Sequence, residues 1–179
     1  MMTNKINKLF IYFMIYSVIG WIYEVFLEVV VYKWGFTNRG VLFGPYCPVY
    51  GFGAVIFILL IYNHIKDLKG SKRVISIPIV FLLCMVIATI IELFTSYLLE
   101  FTIGSWPWQT YADYAINFQG RIALSPSIRF GIGGVIFLYL IQPLLDILTK
   151  KLGDKKTNII SIILLIIILI DCMYTFFIR

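Results

Sequence analysis

Charged residues are scarce in this sequence. Lys, Arg, Asp and Glu make up 13% of its 179 residues, whereas apolar residues make up 61%. Soluble domains carry about 25% charged residues, so a water-soluble globule of this composition could not cover its surface with polar groups. We therefore expect the lipid bilayer to be the solvent, and we expect one membrane domain over residues 1–179 without a separate soluble domain.

Histidine and cysteine are also rare. The one histidine, His64, and the three cysteines, Cys47, Cys84 and Cys172, show no metal-ligand spacing. This argues against a metal site and a disulfide framework, and nothing in the sequence indicates a cofactor. The phosphate-binding pattern G-x-x-x-x-G-K-[ST] is missing as well, so we do not expect this chain to hydrolyse ATP itself.

What the sequence does contain is a series of long apolar runs. A transmembrane helix needs roughly 20 apolar residues, and five runs reach that length: Leu9–Tyr32, Tyr46–Ile65, Val74–Phe101, Ile128–Leu148 and Asn158–Ile178. We predict an all-α, polytopic membrane protein with five transmembrane helices, of which the third is long enough to be tilted.

The basic residues predict the orientation of these helices. Ten of the fifteen Lys and Arg residues lie before the first run, between the second and third, and between the fourth and fifth. Short basic loops stay in the cytoplasm, so we predict the N-terminus inside and the C-terminus outside. Topology and contact with anionic lipid account for the net charge of +6, and nucleic acid is not an expected partner.

Two irregular polar segments interrupt the apolar sequence and resemble each other. They are "TNRGVLFGPYCPVYGFG" (37–53) and "NFQGRIALSPSIRFGIG" (117–133). A shift of 80 residues places Gly40 on Gly120 and Gly51 on Gly131. In the helices before them, a shift of 68 residues places Glu24 on Glu92.

These alignments predict a parallel tandem repeat. Each unit would be a helix, an outer loop and a helix, and the fifth helix would stand alone. Transporters use repeats of this kind, although a duplication without a central site is the alternative. The predicted units are 9–65 and 74–148, followed by the fifth helix over 158–178.

Acidic residues inside the apolar runs are the strongest functional signal. A carboxylate in hydrocarbon costs at least a few kcal/mol, so it usually faces the bundle interior and is paired. At 1.5 Å per residue, about 22 Å separate Leu9 from Glu24, which places Glu24 in the outer half of the membrane. The cations able to meet these carboxylates lie in the irregular segments. The candidates for substrate or ion binding are Glu24, Glu28, Arg39, Glu92, Glu100, Arg121 and Arg129.

We predict that Glu24 and Glu92 meet in one polar cluster, and that Arg39 and Arg121 reach inward to it. The alternative is that these Glu–Arg pairs only stabilise the fold.

An aromatic insertion precedes the second irregular segment. Its side chains Trp106, Trp108, Tyr111 and Tyr114 are of the kind that prefers the headgroup region of a bilayer. We expect this segment to lie along the outer interface, either as a membrane anchor or as a lid over a site.

Three motifs together resemble one known family. "GWIYE" (20–24), "NRGVLFGPYCPVYGFG" (38–53) and "NFQGRIAL" (117–124) are similar to those of the ABC-transporter type IV, or CmpB-like, bacterial membrane proteins. The resemblance covers the chain up to about Leu148. It implies a multi-pass protein of the bacterial plasma membrane with a permease role, and it brings no catalytic residues.

The leading functional hypothesis is therefore a transporter or permease subunit. Its expected partners are the lipid bilayer, a separate ATP-binding subunit and a second copy of the chain. One alternative is a membrane-embedded enzyme acting on a lipid or cell-envelope substrate, but no nucleophile motif or histidine cluster supports it. The other is a structural or regulatory partner of another membrane complex.

Overall fold

The structure is a computed structural model that describes residues 2–178, apart from the side chains of residues 2, 3 and 103. It is 79% helical with almost no strand, which confirms the all-α prediction. The predicted orientation concerns the two terminal residues. Met1 and Arg179 lie outside the described residues.

Long helices account for most of the chain. The first helix covers Met2–Phe26 and continues as a π-helical turn over Leu27–Val31. The second covers Pro48–Phe57 and also continues as a π-helical turn, Ile58–Tyr62, before the short helix Asn63–Ile65. The remaining long elements are Gly70–Ile103, Leu124–Ile136 with the π-helical turn Phe137–Ile141, and Gln142–Phe177.

Short elements connect the helix Gly70–Ile103, called the third helix below, to the helix Leu124–Ile136, called the fourth. A 3₁₀ helix covers Gln109–Asp113 and is followed by the strands Asn117–Phe118 and Ile122–Ala123. The strands are antiparallel, with Asn117 opposite Ala123. The predicted aromatic insertion therefore has local structure of its own.

In the part of the chain that the structure describes, four helical segments are long and apolar enough to cross a membrane: Asn4–Val31, Pro48–Ile65, Gly70–Thr102 and Leu124–Phe177. The last contains 54 residues, which at 1.5 Å per residue would span about 80 Å against about 30 Å of hydrocarbon. Gly153 lies inside it with non-helical angles, φ 72° and ψ 168°. The predicted fourth and fifth spans, 128–148 and 158–178, lie on either side of this glycine.

The chain folds as two compact units. The first consists of Met1–Ile56 and Leu144–Arg179. Its core contains Phe13 and Met14 of the first helix with Leu42 and Tyr46 of the irregular segment, and Leu164 and Ile168 of the last helix pack against them. The irregular segment is therefore held by two apolar helices of its own unit.

The second unit, Phe57–Pro143, is built on the third and fourth helices. These helices approach closely where Gly131 faces Phe81, since a Cβ atom at Gly131 would lie 2.6 Å from Phe81 Cε2. Further along the pair, the Thr89 hydroxyl donates a hydrogen bond of 2.8 Å to Ser127 Oγ. The aromatic insertion connects the ends of these two helices.

Candidate functional site

Glu28 lies at the end of the first helix and is paired by the irregular segment that follows. Its side chain is buried. The Thr37 hydroxyl donates to Oε1 at 2.6 Å, the Thr37 N–H donates to Oε2 at 3.2 Å, and Arg39 Nε lies 3.0 Å from Oε2. A carboxylate with these partners is neutralised locally, so Glu28 joins the segment to the helix.

Glu24 lies one turn earlier and has a different partner. It accepts a hydrogen bond from the Tyr50 hydroxyl of the second helix. The Tyr50 ring lies against Gly20, where a Cβ atom would come within 2.5 Å of Tyr50 Cβ. Among the described residues no cation is within ion-pair distance of Glu24, so the tyrosine orients this carboxylate without neutralising it.

Asp171, in the last helix, holds the middle of the same irregular segment. It accepts backbone hydrogen bonds from Phe43 at 2.9 Å and Gly44 at 2.7 Å. The hydroxyl groups of Tyr46 and Thr175 also donate to it. Four donors satisfy a carboxylate well, which gives Asp171 a role in anchoring the segment.

Cys47 closes the segment against the first helix. Its N–H donates to the Ser17 carbonyl oxygen at 2.8 Å, and its side chain is buried just before the second helix begins. Burial raises the pKa of the Cys47 thiol to about 11, with a further rise from Glu24 and an opposing effect of Arg39. A thiol in this state is not a nucleophile at neutral pH.

In the second unit, Arg121 is enclosed by aromatic rings. Its side chain contacts Glu100, and its guanidinium carbon lies 4.0 Å from the ring centroids of both Tyr97 and Trp106. The side chain is nearly buried, with 7% of the residue exposed. A planar, weakly hydrated guanidinium stacks on aromatic faces, whereas an ammonium would lose much of this contact.

The tryptophans of the insertion also hold the backbone around Arg121. Trp108 Nε1 donates to the Arg121 carbonyl oxygen at 2.8 Å, and Trp106 Nε1 donates to that of Gly120 at 3.2 Å. The turn itself has positive φ at Gln119 (55°) and Gly120 (63°), as a tight hairpin turn requires. Both tryptophans therefore position the arginine.

Glu92, in the third helix, has one hydrogen-bond donor among the described residues. The Tyr111 hydroxyl of the insertion donates to Oε1 at 2.9 Å. Its other oxygen, Oε2, is buried and has no hydrogen-bond partner among the described residues. Arg121, which belongs to the same unit, contacts Glu100 instead. A buried carboxylate without a cation is unfavourable, so this position is suited to binding a proton or a cation.

The remaining candidates are more peripheral. Arg129 is exposed and donates to the Tyr114 hydroxyl at 3.3 Å and to Ser125 Oγ at 3.2 Å. In the described part of the chain, no three His, Cys, Asp or Glu side chains are grouped so that they could hold a metal ion.

The predicted candidates are divided between the two compact units. Glu24, Glu28 and Arg39 belong to the first, and Glu92, Glu100, Arg121 and Arg129 belong to the second. The predicted meeting of Glu24 and Glu92 in one cluster stays a prediction. The hydroxyl donors Thr37, Tyr46, Tyr50 and Tyr97 were not among the predicted site residues, because an isolated tyrosine or threonine beside apolar sequence resembles any interfacial residue.

A chain that is 79% helical, with four helices in its described part long and apolar enough to cross a bilayer and with carboxylates inside them, has the features of an α-helical membrane protein. Residues 11–176 match the family described as Putative ABC-transporter type IV (ABC_trans_CmpB), and the chain belongs to this family. The resemblance found in the sequence motifs is thereby confirmed. Neither the curated proteins nor the solved structures yielded a match.

Proposed function

We propose that this protein is the membrane-spanning permease subunit of a transporter, and that its outer carboxylates bind a positively charged substrate or a coupling ion. The family description supports a transport role. The observation that carries the ligand class is Glu92. Within the described residues its buried Oε2 has no hydrogen-bond partner, and its one donor is the neutral Tyr111 hydroxyl.

The four glutamates fall into two types, and this distinction supports the proposal. Glu28 and Glu100 are ion-paired with Arg39 and Arg121. Glu24 and Glu92 each accept from a tyrosine hydroxyl, which orients the acid and leaves its charge uncompensated. Acids inside membrane-spanning helices mark ion and proton pathways in transport proteins.

Equivalent contacts inside each unit support the proposed tandem repeat. A Cβ atom at Gly51 would lie 2.5 Å from the Phe13 carbonyl oxygen, and Gly131 makes the corresponding approach to Phe81. Phe13 and Phe81 are 68 residues apart and the glycines are 80 apart, which are the two shifts found in the sequence. Parallel repeats of this kind occur in known transporters.

Contacts within the first unit support five spans. Asn7, near the start of the first helix, donates to Asn158 Oδ1 at 2.8 Å. At the other end, Asp171 accepts from Gly44 beyond the end of that helix. The segment from Asn158 to Asp171 therefore runs parallel to the first helix, as the predicted fifth span does.

A separate subunit would have to supply ATP hydrolysis in this proposal. The sequence has no nucleotide-binding loop of the P-loop type. Its apolar composition is suited to the bilayer rather than to a nucleotide-binding domain. The bacterial plasma membrane is the location that this proposal implies.

Thermal unfolding of the purified protein tests the ligand class. We expect a cation from a panel of metal and organic cations, or a fall in pH, to raise the melting temperature of the wild type but not of Glu92→Gln. The matched control is Asp113→Asn, an exposed acid of the insertion. Flux of the identified cation or of protons in proteoliposomes then tests transport, and an identical response of wild type and Glu92→Gln would contradict the proposal.

A further inference from the structure

A second site lies in the second unit, at the ends of the helices that precede and follow the loop 66–69. Here a small cavity of about 50 Å³ is lined by Tyr62, Lys66, Arg73 and Tyr139, together with the apolar residues Ile65, Leu138 and Pro143. Sites for whole small molecules measure about 300–1,000 Å³. The cavity is therefore of a size to take one small polar group.

The charge of the lining selects an anion. Lys66 and Arg73 are its two charged residues, and Lys69 and Lys72 lie in the same short stretch of chain. Asp67 is the one acid there, and it does not line the cavity. An arginine fork beside a lysine ammonium is a common arrangement for binding phosphate oxygens.

Arg73 is held in place before any ligand binds. Its Nη2 donates to the Tyr139 carbonyl oxygen at 3.1 Å, and its guanidinium carbon lies 5.4 Å from the Tyr139 ring centroid. The Tyr139 hydroxyl is 2.6 Å from Ser76 Oγ, which in turn donates to the Arg73 carbonyl oxygen at 2.8 Å. This closed network fixes the arginine at the cavity, which lowers the entropy lost on binding.

The backbone around the cavity is also unusual. Tyr62 ends one π-helical turn, and Leu138 and Tyr139 belong to another. Single π-helical turns inside α-helices occur frequently at functional sites. Three of the seven residues that line the cavity belong to these two turns, which supports a functional role for the cavity.

The position along the apolar helices favours a lipid as the source of the anion. Lys66 follows the apolar segment Pro48–Ile65 directly, and Arg73 lies in the first turns of the segment Gly70–Thr102. The adjacent apolar side chains Val74 (65% exposed) and Leu140 (62% exposed) are open to an acyl chain. Basic pockets at this depth, on the cytoplasmic side, bind anionic headgroups in other membrane proteins.

We propose that this cavity binds the phosphate group of an anionic phospholipid. Arg73 and Lys66 hold the phosphate oxygens, and the acyl chains follow the neighbouring apolar side chains. The site is distinct from the outer carboxylates, so the proposal does not depend on the transport function.

Native mass spectrometry of the purified protein, with phosphatidylglycerol and phosphatidylcholine offered together, tests the site. We expect the wild type to retain phosphatidylglycerol and Arg73→Gln to lose the preference by about tenfold or more, because a charge-assisted fork is removed. Lys69→Gln and Lys72→Gln are the matched controls. They remove the same charge from the same stretch without touching the cavity, and we expect at most about a fivefold change from them.

Three results would overturn the proposal. Equal losses in all four variants, including Lys66→Gln, would mean that the loop attracts anionic lipid only through its net charge. Equal thermal stabilisation by inorganic phosphate and by phosphatidylglycerol would mean that the ligand is a soluble anion. No lipid preference in the wild type would remove the site altogether. If Arg73→Gln fails to fold because its contact with Tyr139 is lost, Lys66→Gln takes its place in the comparison with the controls. Lys66 is exposed and also lines the cavity.

Discussion

At the scale of single residues, the carboxylates of this protein differ in what neutralises them. Glu28 is paired with Arg39 and Thr37, and Glu100 is paired with Arg121, whereas the one partner of Glu92 in the described part of the chain is a tyrosine hydroxyl. In the sequence, an ion-paired acid cannot be distinguished from an acid with a hydroxyl donor, because all three acids lie in similar apolar surroundings. The difference between the acids depends on which polar group of the following segment lies beside each carboxylate in the folded chain.

The enclosure of Arg121 gives a prediction about stability. Arg121→Lys keeps the charge but loses the flat stacking between Tyr97 and Trp106, so we expect the free energy of unfolding to fall by about 1–3 kcal/mol. Thermal or denaturant unfolding in detergent measures the change. Arg129→Lys is the matched control, since Arg129 is exposed and its replacement should cost less than about 0.5 kcal/mol. Equal losses in the two variants would mean that the rings contribute nothing specific.

The buried Cys47 thiol gives a prediction about pH. Because its pKa in the folded protein is about 11 rather than the ordinary 9.0, ionisation favours the unfolded chain. The thiol's contribution to stability is complete below pH 9.0 and is lost as the pH rises toward about 11.

We expect alkylation of Cys47 by maleimide, followed by peptide mass spectrometry, to remain slow at neutral pH. Phe43→Cys, at an exposed position of the same segment, should react fast under the same conditions. Rapid labelling of Cys47 at neutral pH would show that the thiol is accessible and ionised.

At the scale of helices and connecting segments, the two irregular segments have the same task in their own units. Each follows a long helix and brings polar groups back to the carboxylates near its end. Gly40 and Gly120 both have positive φ, 97° and 63°, which glycine adopts without steric cost. The arginines differ, because Arg39 precedes its glycine and Arg121 follows its own.

Four glycines test whether the two units are built alike. Gly51 and Gly131 sit in close helix contacts, whereas a Cβ atom at Gly53 or Gly133 would meet nothing within 4 Å. We expect Gly51→Ala and Gly131→Ala to lower the free energy of unfolding by about 1–3 kcal/mol. Gly53→Ala and Gly133→Ala should leave it unchanged or raise it by up to about 1 kcal/mol. Unfolding in detergent measures all four, and a loss in only one member of the first pair would argue against equivalent units.

The helices themselves were predictable from the sequence, and their details were not. Apolar length and the rarity of charge were sufficient to predict the helical regions, and the predicted ends of Tyr46–Ile65 and Val74–Phe101 lie within four residues of the observed segments. The π-helical turn at Leu27–Val31 could not be predicted. A helix that is apolar on every side has no periodicity from which an extra residue per turn would be visible.

At the scale of the whole molecule, the sequence identified the family and the class of protein, but not how the chain divides. The first compact unit contains both the beginning and the end of the chain. Such an association depends on contacts between distant residues, such as that of Asp171 with Gly44. In the sequence, Asp171 is an isolated acid in the last apolar run, and many other residues would be equally suitable partners for it.

Cysteine labelling tests the number and direction of the spans. With five spans and a cytoplasmic N-terminus, Phe43 and Asp113 lie outside, and Lys69 and Lys156 lie inside. All four positions are exposed, and a single cysteine can be placed at each in a variant without the natural cysteines. We expect a membrane-impermeant maleimide to label Phe43→Cys and Asp113→Cys in intact cells, and the two lysine variants only after permeabilisation.

Each position in this test constrains a different part of the topology. Labelling of Lys156→Cys in intact cells would mean that the helical segment Leu124–Phe177 does not turn back near Gly153 as a pair of spans. Labelling of Lys69→Cys in intact cells would reverse the orientation of the second and third helices. Because Asn7 and Asn158 are in contact, Lys8→Cys must behave as Lys156→Cys does. A difference between these two would contradict the parallel arrangement of the first and last helices, on which the five-span proposal depends.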